Sequence, residues 1–209
     1  MILFDLNNTE NEPAYQKLRL SNLDRQYDFF ASIVETSFET RRTYVSQTVL
    51  KAFNYHAIVC LHSGAGEFRK HEVQVGNHTP PQWMYVQALM DDFVNQINFA
   101  LSDTDPITMA AWALWRLNWI HPFVNGNGRT ARLIAYYIIC LRSGGLLPGS
   151  PTLPELLRRK RGEADDPYVA GLRHADASLQ TGTLDLEPLQ LLVRNLLEEQ
   201  LSSISEGEA

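Results

Sequence analysis

Residues 121–132 read His-Pro-Phe-Val-Asn-Gly-Asn-Gly-Arg-Thr-Ala-Arg, and an apolar run from Leu133 to Leu141 follows them directly. This order predicts a glycine-containing loop that leads into the N-terminus of a buried helix. The first turn of a helix has N–H groups without partners and carries partial positive charge, and flanking glycines let an anion approach the backbone closely. Arg129 and Arg132 lie about one turn apart, so they reach neighbouring parts of one surface. The pattern predicts a site for several phosphate groups with the imidazole of His121 at its mouth.

The motif at residues 121–132 resembles the signature of the Fic family, which is His-x-Phe-x-(Asp/Glu)-Gly-Asn-Gly-Arg-x-x-Arg. Asn125 departs from it, because the family usually has an acid at this position. Residues 66–81 resemble the hairpin, or flap, that precedes the motif in Fic proteins. The resemblance implies that the flap docks an extended segment of a target protein through five residues: Phe68, Arg69, Val73, Gln74 and Val75.

The chain has 209 residues, of which 44% are hydrophobic and 20% charged, as in an ordinary globular domain. Its net charge of −6 argues against a protein that binds nucleic acid through bulk positive charge. We expect no signal peptide and no membrane span, and therefore a cytoplasmic protein. Cys60 and Cys140 lie in apolar runs, which favours reduced, buried thiols.

Apolar residues recur at helical spacing over most of the chain, with helices predicted over 15–34, 43–61, 86–101, 106–119, 168–177 and 184–201. Alternation of Val73 and Val75 with polar neighbours predicts a short strand over 68–75. The fold class is therefore mainly α, a Fic-type helical domain with a small β-hairpin flap and extra N-terminal helices. We expect a helical appendage at residues 1–50 and a catalytic domain at residues 51–209.

The chemistry of the motif suits attack on a phosphate. Histidine has a pKa near 6.5, so a neutral His121 can accept the proton of an attacking hydroxyl. Gly126, Asn127 and Gly128 would offer N–H donors and an amide to the phosphate, and guanidinium forks match phosphate oxygens.

The resemblance implies transfer of AMP from ATP to a Ser, Thr or Tyr hydroxyl of a target protein. In that comparison His121 is the base, Asn127 contacts the α-phosphate, and Arg129 and Arg132 hold the outgoing phosphates. Tyr168 stands where Fic proteins often place a tyrosine near the adenine, although a core tyrosine fits the pattern equally.

Two further expectations follow from the resemblance. The family's acid at the position of Asn125 ligates Mg²⁺. We therefore expect the protein to use Mg²⁺, but with a lower affinity for the metal, because the Asn125 amide offers a neutral oxygen. Many Fic proteins also carry an inhibitory glutamate that pairs with the second arginine. Glu35 and Glu206 are the candidates, and the alternatives are a solvent-facing helix residue for Glu35 and a frayed acidic tail for Glu206.

Other functions stay open at this stage. A Fic relative could transfer another phosphate-containing group, remove AMP, or act as a weakly catalytic nucleotide-binding regulator. A P-loop nucleotidase is disfavoured, because the chain lacks a Gly-x-x-x-x-Gly-Lys-(Ser/Thr) run. The expected partners are ATP and a target protein of unknown identity, and assembly into a homodimer is kept open.

Overall fold

The structure is a computed structural model that describes residues 2–7, 9–158 and 166–206. Within these ranges the chain is mainly α-helical, which confirms the predicted fold class. In chain order the helices are α1 (Leu3–Asn7), α2 (Pro13–Glu39), α3 (Gln47–Ile58), a 3-10 turn (Trp83–Tyr85), α4 (Val86–Ala100), α5 (Pro106–Ile120), α6 (Asn127–Ser143), α7 (Leu153–Leu156), α8 (Pro167–Gln180) and α9 (Glu187–Glu206).

The centre of the fold is α6, the helix that begins inside the motif. Every side chain from Leu133 to Leu141 is buried, as expected for a helix that is apolar on nearly all faces. Helices α2, α3, α5 and α7 pack around α6, while α5 also contacts α4, α8 and α9. The start of α6 is thereby fixed in space by the body of the domain.

Polar residues fix where several helices begin. Asp105 caps α5 by accepting a hydrogen bond of 2.8 Å from the N–H of Thr108, and Pro106 occupies the first turn as predicted. Ser46 caps α3 in the same way, with a bond of 3.2 Å from the N–H of Val49. These caps satisfy N–H groups that the helices cannot pair themselves.

The flap does not contain the predicted strand. Among the residues that the structure describes, its β-type pairings are two isolated bridges, Phe68 with Phe123 and Val75 with His78. Val75 and His78 exchange two backbone hydrogen bonds of 3.0 Å, so the tip of the flap is a tight turn. Gly76 in this turn has a φ of 58°, which a residue with a Cβ rarely adopts. The prediction of a strand over 68–75 was wrong, because the segment is held mainly by side-chain bonds.

Helix α2 packs against α3 and α6 and contributes to the main hydrophobic core. Phe30 of α2 stacks on Tyr136 of α6 with ring centroids 5.3 Å apart. The expected boundary near residue 50 stays a prediction, and side chains on both of its sides, such as Phe30 and Phe53, share one core. Over the described ranges, none of the helices combines the length and apolar composition that a bilayer crossing requires.

Candidate active site

The motif forms a tight corner between α5 and α6. Helix α5 ends at Ile120, and His121 follows with left-handed backbone angles (φ 49°, ψ 59°). Its N–H still bonds to the carbonyl of Leu117 at 2.9 Å. A positive φ is uncommon for a residue other than glycine and is often found at functional sites. This turn directs the loop at 122–126 towards the first turn of α6.

Gly126 permits this loop to lie against α3. It has a φ of 77°, and a Cβ at this position would lie 2.8 Å from Cγ2 of Ile58 and 3.0 Å from Nδ2 of Asn54. Asn54 also donates a hydrogen bond of 2.9 Å to the carbonyl of Asn125 and accepts one of 3.0 Å from the N–H of Gly66. The loop is therefore rigidly supported, and only glycine fits at its end.

The side chain of Asn127 has a different role from the predicted one. Its Oδ1 accepts a bond of 2.9 Å from the N–H of Phe123, and its Nδ2 donates one of 2.8 Å to the carbonyl of Phe123. The residue is only 2% exposed, so both ends of the amide serve the loop. Anion contacts at this position are left to the backbone N–H groups of the first turn of α6, among them that of Gly128.

The two motif arginines lie side by side at the start of α6. Arg129 donates to the carbonyl of Ala57 at 2.5 Å and to Oδ1 of Asn125 at 3.1 Å. Burial lowers the pKa of Arg129 to about 10, and the nearby Arg132 contributes to the fall. Burial also lowers the pKa of Arg132, while the hydroxyl of Tyr168 beside it opposes the shift. With a pKa of about 10, Arg129 stays cationic near neutral pH.

The imidazole of His121 is held neutral by its surroundings. Burial lowers its pKa to about 4, with smaller contributions from the positive charges of Arg69 and His78, and the Asn118 backbone opposes the shift. Its Nδ1 atom is buried and makes no well-formed hydrogen bond. The group is therefore ready to accept a proton near pH 7.

Arg69 anchors the flap beneath His121. Its guanidinium donates to four backbone carbonyls, those of His121 at 2.8 Å, His71 at 3.0 Å, Pro81 at 2.5 Å and Ile120 at 3.4 Å. The residue is 2% exposed. We predicted that Arg69 docks a target, and this prediction needs correction, because a buried side chain with these bonds cannot face a partner. Its function is to fix the flap to the catalytic turn.

The other predicted flap residues differ in how deeply their side chains are buried. Phe68 is partly buried, with its ring centroid 5.4 Å from that of Phe123. Val73 is partly buried as well, whereas Gln74 and Val75 are exposed. Only the outer part of the flap is therefore available for docking a target.

Asn125 is the residue that departs from the family pattern, and its amide is fully engaged. Oδ1 accepts from the N–H of Gly126 at 2.6 Å and from Arg129 at 3.1 Å. Nδ2 donates to Oε1 of Glu10 at 3.1 Å and contacts Nε2 of His62 at 2.9 Å. Because Oδ1 faces two groups that can only donate, the orientation of the amide is unambiguous.

This arrangement does not fit Mg²⁺. A cation needs free oxygen lone pairs, and both lone pairs of the Asn125 Oδ1 atom are used by donors. The part of the chain that the structure describes contains no cluster of three or more His, Cys, Asp or Glu residues able to hold a metal. The expectation that Asn125 helps to bind Mg²⁺ is therefore not supported by the geometry.

Tyr168 and the two candidate glutamates lie in different places. The Tyr168 hydroxyl accepts a bond of 2.9 Å from Asn118 of α5, so it belongs to the wall behind Arg132. Glu35 is exposed on α2 and is absent from the cavities that contain Arg132. The Glu206 side chain lies outside the part of the chain that the structure describes, so both inhibitory assignments stay predictions.

Two adjoining cavities lie between the first half of α2 and the start of α6, with volumes of about 650 and 760 Å³. Both are bordered by the same five side chains: Leu20, Leu23, Arg129, Arg132 and Arg158. The larger one also contains Gly126 and Gly128, which places it directly over the predicted phosphate site.

Several residues that complete this site have no recognisable signal in the sequence. Glu10 and His62 contact Asn125, and the Tyr15 hydroxyl lies 2.8 Å from Nε2 of His62. These residues are far apart along the chain and form no recognisable spacing. A polar residue at a regular helical position, such as Tyr15, looks like an ordinary surface or core residue until the fold is known.

Part of the chain is similar to known proteins. The sequence model described as Fic/DOC family matches residues 44–139. Proteins named protein adenylyltransferase Fic from Drosophila sechellia and Drosophila melanogaster are each 44% identical over 80 residues, which is 38% of this chain. The match spans 16% of the length of these relatives.

Solved structures show the same fold. A Fic-domain-containing signalling protein from Bacteroides thetaiotaomicron aligns with a TM-score of 0.65 at 18% identity, covering 90% of this chain and 71% of that chain. Fic-1 from C. elegans aligns with a TM-score of 0.62 at 22% identity, covering 95% of this chain and 55% of that chain. Together with the residues of the motif, the sequence matches show that residues 44–139 form a Fic/DOC-family domain, and the solved structures show the same fold around it.

Proposed function

We propose that this protein is a nucleotidyltransferase that moves AMP from ATP to a hydroxyl group of a target protein. The observation that carries the proposal is a neutral His121 in the turn that precedes α6, next to a cavity lined by the start of α6 and by Arg129 and Arg132. The names of the Drosophila relatives support this choice of group, although they match over part of the chain.

The proposed reaction is an in-line displacement at the α-phosphorus. His121 accepts the proton of the target hydroxyl while the hydroxyl oxygen forms a bond to phosphorus. The bond from that phosphorus to the oxygen bridging the α- and β-phosphates breaks, and pyrophosphate leaves with the electron pair. Donors placed in advance are the main requirement of such a transfer.

Each part of the site has a task in this scheme. The N–H groups at the start of α6 bind the α-phosphate, where negative charge accumulates. Arg129 and Arg132 bind the departing phosphates. Arg69 keeps His121 in its left-handed turn through the bond of 2.8 Å to its carbonyl. The outer flap, including Val75, offers an edge against which an extended target segment can lie. No step is assigned to a protein-bound metal.

The test is incubation of a cell lysate with ATP labelled at either the α- or the γ-phosphorus. We expect transfer from α-labelled ATP alone, with a mass gain of AMP on the target. His121→Ala should reduce transfer on the order of 100- to 10,000-fold while nucleotide binding persists. His174→Ala is the matched control, because His174 is exposed and pairs with Asp185, and neither residue belongs to the motif.

Other results would point to the alternatives. Transfer from γ-labelled ATP would mean that another group is moved, and loss of AMP from a modified target would mean the reverse reaction. Nucleotide binding without any transfer would indicate a regulatory module. An unchanged rate in His121→Ala would remove the base assignment.

A further inference from the structure

The larger cavity over the motif has a second wall that comes from α2, outside the motif. This cavity has a volume of about 760 Å³. The motif loop and α6 form one side of it, and α2 and Arg158, which lies just after α7, form the other. The lining side chains from outside the motif are Glu10, Arg19, Leu20, Leu23 and Arg158. Any ligand that rests on the start of α6 therefore also faces α2.

The charge around this cavity is strongly unbalanced. Four guanidinium groups line it, those of Arg19, Arg129, Arg132 and Arg158, against the one carboxylate of Glu10. Glu10 accepts a hydrogen bond from Nδ2 of Asn125. Among the described residues, no carboxylate forms an ion pair with any of the four arginines. Such a cavity is suited to a ligand with several negative charges.

Arg19 is the member of this group that the motif does not explain. Its Nε atom is buried and has no hydrogen-bond partner. Its positive charge acts on Arg129 and contributes to the lowered pKa of that residue. The positive charges of Arg19 and Arg129, which are both partly buried, repel each other, and this repulsion disfavours the unliganded protein. A bound phosphate would remove this repulsion and supply the missing acceptor.

We propose that Arg19 of α2 is a phosphate-binding residue that, together with Arg158, holds the phosphates beyond the α-phosphate of a nucleoside triphosphate. The identity of the ligand rests on the proposed function. The α-phosphate contacts the backbone at Gly126 and Gly128, and the following phosphates extend between Arg129 and Arg19. The site consequently favours a triphosphate over a monophosphate, and α2 forms part of it.

Calorimetric binding in the presence of a chelator tests this proposal. The ligands are ATP, AMP and inorganic tripolyphosphate, and the variants are Arg19→Gln and Lys17→Gln. Lys17 is exposed on α2 and absent from both cavities, so its exchange removes the same charge from the other face of the helix. We expect Arg19→Gln to weaken ATP and tripolyphosphate about 10- to 100-fold and to leave AMP unchanged. Lys17→Gln should leave all three unchanged.

A second measurement separates binding from a structural role. Because the charge of Arg19 repels that of Arg129 and its buried Nε has no hydrogen-bond partner among the described residues, the melting temperature of unliganded Arg19→Gln should equal or exceed that of the wild type. The rise in melting temperature caused by tripolyphosphate should be smaller in this variant. A fall in the melting temperature of the unliganded variant would mean that Arg19 serves folding, and would overturn the proposal.

The remaining outcomes are also decisive. If Arg19→Gln does not fold, Arg19→Lys keeps the charge and loses the fork, and it should bind ATP more weakly with AMP unchanged. Equal ATP affinity in the folded Arg19 variant would overturn the inference and leave the proposed function intact. If Arg19→Gln weakens the binding of ATP and of tripolyphosphate by the same factor, Arg19 recognises the phosphate chain itself. A wild-type protein that binds neither ligand would remove both proposals.

Discussion

At the scale of single residues, Asn125 shows why an amide replaces the family's acid in this chain. Its Nδ2 faces the Glu10 carboxylate at 3.1 Å and Nε2 of His62 at 2.9 Å. A carboxylate in the same place would put a second negative oxygen against Glu10, and both donors of the amide would be lost. An asparagine in place of the family's acid therefore lets the phosphate loop form a hydrogen bond to Glu10 in the N-terminal segment.

We predict that Asn125→Asp destabilises the protein near pH 7 by about 1–3 kcal/mol. Glu10→Gln in the same chain should recover most of this loss, because the glutamine amide can donate to the new carboxylate. The measurement is a double-mutant cycle of urea unfolding. Asn95→Asp on the exposed face of α4 is the control and should have almost no effect. Strictly additive effects of the two exchanges would contradict the proposed contact.

His121 provides a second prediction at this scale, in the pH dependence of stability. Its pKa is about 4 in the folded protein, against about 6.5 in an unfolded chain. Between these values the unfolded state binds more protons, so the free energy of unfolding falls as the pH drops from about 6.5 to about 4. The loss should reach up to about 3 kcal/mol and then level off.

His121→Asn removes this titration, so the variant should gain stability relative to the wild type on acidification. Urea unfolding at several pH values between about 7 and 4 measures the difference. His71→Asn serves as the control, because the side chain of His71 is exposed. If the stabilities of the wild type and His121→Asn ran parallel across this range, the pKa of His121 would not be depressed.

Among the elements, the flap depends on one buried side chain. Arg69 joins three backbone segments through carbonyls at 71, 81 and 121, and its own N–H bonds to the Pro122 carbonyl at 2.8 Å. Arg69→Gln cannot span these groups, and we predict faster amide exchange over residues 70–80 with slower transfer. The unfolding free energy should fall by about 2–3 kcal/mol, since buried carbonyls lose a charged donor.

The neighbouring substitution Lys70→Gln is the control for this experiment. Lys70 is exposed, and its ammonium group lies 3.9 Å from the carboxylate of Glu67. Its substitution should therefore leave both the amide hydrogen exchange of the flap and the free energy of unfolding nearly unchanged. Hydrogen exchange followed by mass spectrometry reports the flap directly. Unaltered exchange in Arg69→Gln would show that the flap is held by other contacts.

Helices and flap differ in how well the sequence predicts them. Helix α5 was predicted from Asp105 and Pro106, because a cap and its neighbouring residues act locally. The strand over 68–75 was predicted from alternation, but its partners are the motif turn and Arg69, which no local pattern contains. Local rules therefore work for this chain wherever the stabilising contacts are local.

Over the whole molecule, the motif could be located from sequence, while the second wall of its cavity could not. Asn125 meets Glu10 across 115 positions of the chain, and Tyr15 meets His62 across 47. Such contacts depend on how α2 lies across α6, which is decided by packing of residues such as Phe30. Single-sequence patterns carry no information on that packing.

A buried amide of the C-terminal helix bonds to several other parts of the chain. Gln200 of α9 is 0% exposed. Its Oε1 accepts from the N–H of Leu153 at 2.7 Å, and its Nε2 donates to the hydroxyl of Tyr136 at 2.8 Å and to the carbonyl of Pro148 at 3.0 Å. This amide thus connects α9, α7, the end of α6 and the loop between them.

We predict that Gln200→Leu lowers the free energy of unfolding by about 2–4 kcal/mol, because a similar volume is kept while a buried N–H and a carbonyl lose their partners. The measurement is urea unfolding followed by helical circular dichroism and by tryptophan fluorescence, which should change together if the chain unfolds as one unit. Gln180→Leu is the control, since Gln180 is exposed at the end of α8 and should change stability by less than about 0.5 kcal/mol. A separate early transition in Gln200→Leu would show that α9 unfolds independently, and a stability equal to that of the control would show that the buried amide contributes nothing.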